Sequence, residues 1–209
     1  MKLPRVIGND INENDNFVRW LTVNMPNITA EDKNKIYQAY ILAVSSHGLI
    51  CRRDGTSVMI HVEATAKRLH RWGFNIDFFI AGLLHDIIED CAHIKIEYIK
   101  KEFGDEVADM VNFMSKNINY GILSYELKVD HFLKKNPNYV FIRLADQFHN
   151  VSNPSYSSYD SFIINCREIK WNIEFAISIL SSYENINNNL KADLYAFSQI
   201  IEDYLKAKS

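Results

Sequence analysis

The sequence predicts an all-α fold, and three observations support this prediction. Glycine and proline, which interrupt helices, number only 7 and 4 among the 209 residues. The period-2 alternation that is typical of half-buried strands is hard to find, whereas apolar residues recur at helical spacing through most of the chain. With 47% apolar residues the chain can bury a substantial core, so we expect a single domain over residues 1–209.

Capping signals and apolar periodicity locate the individual helices. The segment 29–32 (Thr-Ala-Glu-Asp) resembles a capping box, with Asp in place of the usual Glu or Gln, and opens a helix that we predict through residue 43. The Asn-rich stretch 185–189 is predicted as the turn before the last helix, and nothing in the pattern accounts for residues 1–28. Further helices are predicted over 57–72, 76–90, 95–102, 105–116, 122–135, 139–151, 159–183 and 189–206.

Charge and cysteine usage exclude several classes of protein. The formal net charge of −3 does not provide the basic surface that nucleic acids and anionic membranes require, so we expect neither as a partner. No apolar region follows the first lysine and no apolar stretch is long enough for a membrane span, so a cytoplasmic protein is expected. Cys51, Cys91 and Cys166 are odd in number and lack metal-type spacing, which indicates buried thiols rather than disulfides.

One predicted helix carries a histidine and three carboxylates on a single face. If residues 76–90 form a continuous helix, these four side chains fall within an arc of about 140° and apolar side chains occupy the remainder. The four are His85, Asp86, Glu89 and Asp90. Like charges one turn apart destabilise a helix, and a bound cation would turn that repulsion into ligation. The alternative is an ordinary solvated acidic face.

A second polar face is predicted on the helix around Asp146. Asn150 and Arg143 share that face, and an aspartate beside apolar neighbours is costly to bury unless it is paired. His149 falls toward the apolar side, so we interpret it as a structural histidine rather than a ligand. A lone histidine such as His61, on an earlier predicted helix, does not by itself indicate a metal site.

The order of these residues resembles the HD superfamily of metal-dependent phosphohydrolases. His61, then His85-Asp86, then Asp146 match the H…HD…D pattern of that superfamily. The flanking sequence is most similar to the alarmone hydrolase domain of RelA/SpoT proteins and their small single-domain relatives. Four segments carry this similarity over residues 47–153: RRDG at 52–55, LLHDIIED at 83–90, FGDEVA at 103–108 and RLADQFHN at 143–150. The resemblance implies an HD-domain helical bundle.

The same resemblance implies a role for each candidate residue. Four side chains are expected to hold one divalent cation: His61, His85, Asp86 and Asp146. Ligand chemistry alone allows Mn²⁺, Fe²⁺, Zn²⁺ or Co²⁺, and the resemblance favours Mn²⁺. Two carboxylates are expected to act on the attacking water: Glu89 and Asp90. Four side chains are expected to contact a nucleotide substrate: Arg52, Arg53, Asn150 and Arg167.

The reaction implied by the resemblance is removal of the 3′-pyrophosphate from guanosine tetra- or pentaphosphate (ppGpp or pppGpp), the alarmones of the stringent response. Three departures from the family pattern bear on the substrate rather than on the metal: Ser57-Val58 replaces Pro-Tyr, Val62 replaces a proline and Gln147 replaces an arginine. An HD phosphohydrolase for another nucleotide, such as ppApp, NADPH or a dNTP, therefore stays open. A catalytically silent nucleotide-binding module and a homo-oligomer also stay open.

Overall fold

The computed structural model describes residues 11–52, 55–116, 122–152, 159–180 and 187–207. Within these ranges the chain forms eleven α-helices, one 3₁₀-helix and no strand, so the predicted all-α bundle is confirmed. An isolated antiparallel bridge joins Cys51 to Ser57 just before the third helix. None of the described helices is long and apolar enough to cross a lipid bilayer.

The helix bounds lie close to the predicted ones, with two exceptions described below. In chain order they are α1 Ile11–Asn24, α2 Ala30–His47, α3 Val58–Arg71, α4 Ile76–Leu84, α5 Ile87–Asp90, α6 Ile96–Phe103, α7 Asp105–Met114, α8 Ile122–Lys135, the 3₁₀-helix Pro137–Tyr139, α9 Val140–Ser152, α10 Tyr159–Leu180 and α11 Asn188–Lys206. The capping at Thr29 is confirmed, because its hydroxyl accepts a hydrogen bond from the Asp32 amide at 3.0 Å. Asn187 caps α11, and residues 185 and 186 of the predicted turn lie outside the described residues.

Helix α1 is absent from the sequence prediction. Its side chains Phe17 and Leu21 are buried, and the Phe17 ring stacks on that of Tyr40 with 3.9 Å between centroids. The helix is otherwise rich in polar residues, so its apolar stripe is too short to stand out in the sequence. Packing against α2, rather than intrinsic propensity, therefore explains why this segment is helical.

The predicted continuous helix over 76–90 is wrong, because the chain leaves the helix after Leu84. Asp86 has φ −91° and ψ −6°, and α5 begins at the next residue. Both residues keep right-handed helical dihedrals, with φ −60° and ψ −32° at His85. In the turn, His85 Nε2 lies 3.2 Å from Asp86 Oδ2. The ends of these two neighbouring side chains therefore meet where α4 gives way to α5.

Helix α3 lies between α4 and α9 and contacts both extensively. Gly82 of α4 allows the close approach, because a Cβ atom there would lie 2.8 Å from the Ala66 Cα atom of α3. This approach brings the histidine of α3 next to the turn between α4 and α5.

All three cysteines are free, as predicted. Cys91 and Cys166 are buried, whereas Cys51 is exposed and corrects the expectation of three buried thiols. Cys51 lies in the bridged turn before α3, which the core does not cover.

Candidate metal centre and cleft

Two histidines and two aspartates from three parts of the chain meet inside the bundle, and we call them the His/Asp cluster. His61 Nε2 lies 3.1 Å from His85 Nε2 and 3.1 Å from Asp146 Oδ1. Asp86 Oδ2 lies 3.2 Å from His85 Nε2 and 3.5 Å from His61 Nε2. Ligand atoms at right angles around an ion, each about 2.1 Å from it, are about 3 Å apart. His61, His85 and Asp86 offer ligand atoms that all lie within 4.8 Å of one another, which fits one divalent cation. Asp146 joins them through its contacts with His61 and, at 3.7 Å, with His85.

The electrostatics of the His/Asp cluster also call for a cation. Burial lowers the pKa of His85, but the carboxylates of Asp86 and Asp146 outweigh burial and raise that pKa well above its usual value. Burial raises the pKa of both aspartates, but the two imidazoles outweigh it and hold both pKa values below the usual range. Two partly buried carboxylates side by side favour positive charge between them, and a divalent cation would supply it while leaving both imidazoles neutral.

Hydrogen bonds orient both imidazoles toward the cluster. His85 Nδ1 lies 2.9 Å from the Gly82 carbonyl oxygen, so Nδ1 donates and Nε2 is left to face the cluster. His61 Nδ1 lies 3.0 Å from Nδ1 of His149. Burial, reinforced by the neighbouring His61, lowers the pKa of His149 to about 4, so its neutral ring can accept the His61 proton. His149 thus orients a candidate ligand, a role that its helical position alone does not indicate.

Asn150 links Asp146 to the segment before α3. Its Nδ2 donates to Asp146 Oδ1 at 2.7 Å, and its Oδ1 accepts from Arg52 Nη2 at 2.5 Å. The predicted shared face of Asp146 and Asn150 is therefore present, and Arg52 joins it from 98 residues away. Arg53 lies outside the described residues.

Glu89 and Asp90 lie beside the cluster, and each has a partner that is not among the sequence-predicted site residues. The Glu89 carboxylate accepts a hydrogen bond from the backbone N–H of Lys116, and burial raises the pKa of Glu89. Asp90 Oδ2 lies 3.4 Å from Nδ1 of His47, which is fully buried at the end of α2. Burial also raises the pKa of Asp90. The signal that could have indicated His47 is the buried stripe of α2, which it continues at helical spacing after Ile36, Tyr40 and Ala43.

A cleft of about 480 Å³ is lined by His61, Asp86 and Asp146 of the cluster and by Glu89 and Asp90. Among the described residues, its cationic lining consists of Arg52, Lys116 and Arg143. The carboxylates of the described lining are Asp86, Glu89, Asp90, Asp146 and Glu168. Because carboxylates outnumber cations among these described residues, a metal cation would help to balance them when an anionic ligand binds. The predicted substrate residue Arg167 is exposed on α10 and is not among the described lining residues.

One wall of the cleft is a buried polar network around Gln147, the position at which the resembled family has an arginine. Gln147 Nε2 donates to Glu168 Oε1 at 3.3 Å, and Gln147 Oε1 accepts from Asn172 Nδ2 at 3.0 Å. Arg143 Nη1 lies 3.2 Å from the same Glu168 oxygen. Because the Gln147 side chain is a neutral amide, the positive charge in this network comes from Arg143.

A family model of the HD domain matches residues 39–126, a range that holds His61, His85, Asp86 and Glu89. The helical bundle and the His/Asp cluster agree with this match. Residues 39–126 are therefore similar to an HD domain. Individual proteins are similar to a longer part of the chain.

Over 176 residues the chain is 27% identical to a probable GTP pyrophosphokinase of Mycobacterium leprae, an alignment that covers 72% of this chain and 22% of the relative. Over 124 residues it is 31% identical to a guanosine-3′,5′-bis(diphosphate) 3′-pyrophosphohydrolase of Aquifex aeolicus, covering 56% of this chain and 17% of the relative. The chain thus spans about a fifth of the length of these curated relatives.

A solved structure shares the fold. It is a metazoan ortholog of SpoT, described as hydrolyzing ppGpp and playing a role in starvation responses. The two chains superimpose with a TM-score of 0.61 and 19% sequence identity, over 82% of this chain and 96% of the other. The similarity therefore covers nearly all of that protein, and at this identity it establishes a common fold.

Proposed function

We propose that this protein is a metal-dependent hydrolase that removes the 3′-pyrophosphate of ppGpp or pppGpp and leaves GDP or GTP. The observation that carries the proposal is the His/Asp cluster lying beside Glu89 and Asp90 in one cleft. Relatives named for this reaction support the choice of substrate. On the basis of the same relatives, we propose that the protein acts in the cytoplasm and takes part in the stringent response.

The His/Asp cluster is proposed to hold Mn²⁺. Two imidazole nitrogens and two carboxylates suit a borderline or hard divalent ion and leave coordination positions for oxygen ligands. When bound, such an ion supplies Lewis acidity to water and to phosphate oxygens. Two of the ligands are kept in place by hydrogen bonds: His61 donates to His149, and Asn150 donates to Asp146.

Glu89 and Asp90 are proposed to act on the attacking water. Burial raises the pKa of each carboxyl, which makes each a better proton acceptor than an exposed carboxylate. The water oxygen forms a bond to phosphorus, the bond from phosphorus to the ribose 3′-oxygen breaks, and the 3′-oxygen takes up a proton. Glu89 is fixed by the Lys116 amide, so it does not need to reorient for this step. Asp90 lies 3.4 Å from Nδ1 of His47.

Substrate contacts are proposed for Arg52, Arg53 and Asn150. Arg52 lines the cleft and its guanidinium is suited to bidentate contact with phosphate. The Asn150 amide reaches between Arg52 and Asp146, where a ribose next to the scissile bond would lie. Arg167 is not included, because it is exposed and does not line the cleft.

The proposal is tested by incubating the purified protein with Mn²⁺ and a panel of ppGpp, pppGpp, ppApp, NADPH and dNTPs, and resolving the products by ion exchange. Release of pyrophosphate from ppGpp is expected. Turnover of another nucleotide alone would contradict the proposed substrate. Bound Mn²⁺ with no turnover of any compound would indicate a binding module instead.

Two variants separate metal binding from catalysis in that assay. Glu89→Gln should lose at least about 100-fold in kcat while it retains Mn²⁺, because the amide cannot accept the proton. Asp146→Ala should lose Mn²⁺ itself, measured by calorimetry. An Asp146→Ala variant with full activity would show that the ligand assignment is wrong.

A further inference from the structure

The segment that follows α7 reaches the candidate catalytic carboxylate. Helix α7 ends at Met114, Ser115 is buried with 2% of its surface exposed, and the backbone N–H of Lys116 donates to the Glu89 carboxylate. Two consecutive residues therefore connect the end of α7 to Glu89. Any shift of this segment moves the donor that holds the carboxylate.

Two cations hold the carbonyl groups at this helix end. Lys128 of α8 donates from Nζ to the Ser115 carbonyl oxygen at 2.5 Å. Arg143 of α9 donates from Nη2 to the Phe113 carbonyl oxygen at 3.3 Å, and its guanidinium lies over the Phe113 ring at 4.6 Å from the centroid. The last carbonyls of a helix lack intrahelical partners and carry partial negative charge, so cations stabilise them there.

Lys128 occupies an unfavourable place for an ammonium group. Burial, and then the nearby Arg143, lowers the pKa of Lys128 to about 8. Glu89 opposes this shift electrostatically, which shows that the two charges lie close enough to interact. Lys128 does not appear among the described residues that line the cleft. Its hydrogen bond in this region is to the Ser115 carbonyl, next to the Lys116 amide that reaches Glu89.

We propose that Lys128 is a positioning residue for Glu89. By holding the Ser115 carbonyl, it fixes the peptide whose N–H, on Lys116, is directed at the Glu89 carboxylate. The kinetic consequence rests on the function proposed above, whereas the geometric consequence for the Lys116 amide does not. A general base displaced by about 1 Å can lose on the order of 100-fold in rate.

The kinetic test compares Lys128→Met with Lys128→Arg in the Mn²⁺-loaded enzyme acting on ppGpp. Lys128→Met should lower kcat at least about tenfold and leave KM within about twofold, because Lys128 acts on Glu89 and not on the substrate. Lys128→Arg retains a donor and should recover to within about threefold of wild type. Lys134→Met, on the same helix but paired with Asp130, is the matched control and should behave as wild type.

The structural test measures hydrogen exchange of the Lys116 backbone amide. Exchange should be about tenfold faster in Lys128→Met, unchanged in Lys134→Met, and also faster in Glu89→Ala, which removes the acceptor. Unchanged exchange in Lys128→Met would overturn the proposal whatever the activity. A raised KM at constant kcat would overturn it too, since that result means direct substrate contact. Faster exchange in a protein that does not cleave ppGpp would support the positioning role and reject the proposed function.

Discussion

His149 and Asn150 are neighbours on α9 that hold different members of the His/Asp cluster. His149 contacts His61 on α3, and Asn150 contacts Asp146 one turn earlier on its own helix. Such outer partners fix the tautomer and direction of a metal ligand, and their loss typically costs 10- to 100-fold in affinity, by order of magnitude. The metal centre therefore depends on side chains that need not touch the metal.

Replacing His149 should weaken metal binding without removing a ligand. In His149→Phe the ring volume is nearly kept, but His61 loses its Nδ1 partner, so we expect the Kd for Mn²⁺ to rise by about 10-fold or more. Isothermal titration calorimetry measures this change. His93→Ala, at an exposed histidine after α5, serves as the control and should bind Mn²⁺ normally. Equal affinities for the two variants would contradict the role given to His149.

Lys128 should make stability depend on pH in the alkaline range. The folded protein releases this proton near pH 8, whereas the unfolded chain holds it until about pH 10.5. Between these values the unfolded state binds more protons, so the free energy of unfolding should rise with pH. We expect wild type to gain about 1 kcal/mol relative to Lys128→Met between pH 8 and pH 9.5, measured by urea unfolding. A difference that stays constant over this range would show that Lys128 is not desolvated.

At the scale of elements, the contact between α3 and α4 determines where the two histidines meet. Gly82 lies where a Cβ atom would be 2.8 Å from Ala66 Cα and 3.0 Å from Ala66 N, and these are backbone atoms that cannot rotate away. Its carbonyl oxygen also accepts the His85 Nδ1 proton. One residue thus sets the helix spacing and orients a candidate ligand.

The substitution Gly82→Ala should therefore separate the helices. We expect it to lower the free energy of unfolding by about 1–3 kcal/mol, the usual effect of overpacking, despite the better helix propensity of alanine. Because the separation also moves His61 away from His85, the affinity for Mn²⁺ should fall as well. Chemical denaturation and calorimetry on the same preparation measure both effects. A more stable variant would mean that the two backbones are free to move apart.

At the scale of the whole molecule, the His/Asp cluster joins parts of the chain that are far apart in sequence. It draws one ligand from α3, two from the turn between α4 and α5, and one from α9. A ligand that binds the folded state alone stabilises it according to its concentration and Kd. The cation is therefore expected to contribute to the stability of the fold as well as to the chemistry.

Added Mn²⁺ should raise the thermal midpoint, and a chelator should reverse the change. At a free concentration about 100 times Kd the stabilisation is about 2.7 kcal/mol, which corresponds to an increase in Tm of roughly 5–10 °C for a chain of this size. Asp146→Ala should show no such increase, and Lys134→Met should show all of it. Differential scanning calorimetry gives the midpoints. A Tm that does not change when Mn²⁺ is added would argue against a cation held by these four residues.

The all-α class and the candidate residues could be predicted because they are properties of short stretches of chain. Helical periodicity, the Thr29 cap and the order of His61, His85-Asp86 and Asp146 are read within one or a few turns at a time. Arg167 shows the limit of this approach: the family resemblance implies a substrate contact, whereas on α10 its side chain is exposed and is not among the described residues that line the cleft.

The sequence by itself determined the helical class, most helix bounds and the identity of the candidate ligands. Only the tertiary structure decided the break at Asp86, the close approach at Gly82, the proximity of His47 to Asp90, and the hydrogen bond from Lys128 to the Ser115 carbonyl. The physical reason is that a helix pattern records which face is apolar, but not which helix covers it or at what distance. The distances between helices determine the geometry of the metal site and the position of Glu89. These two features can therefore be read from the packed structure but not from the sequence pattern.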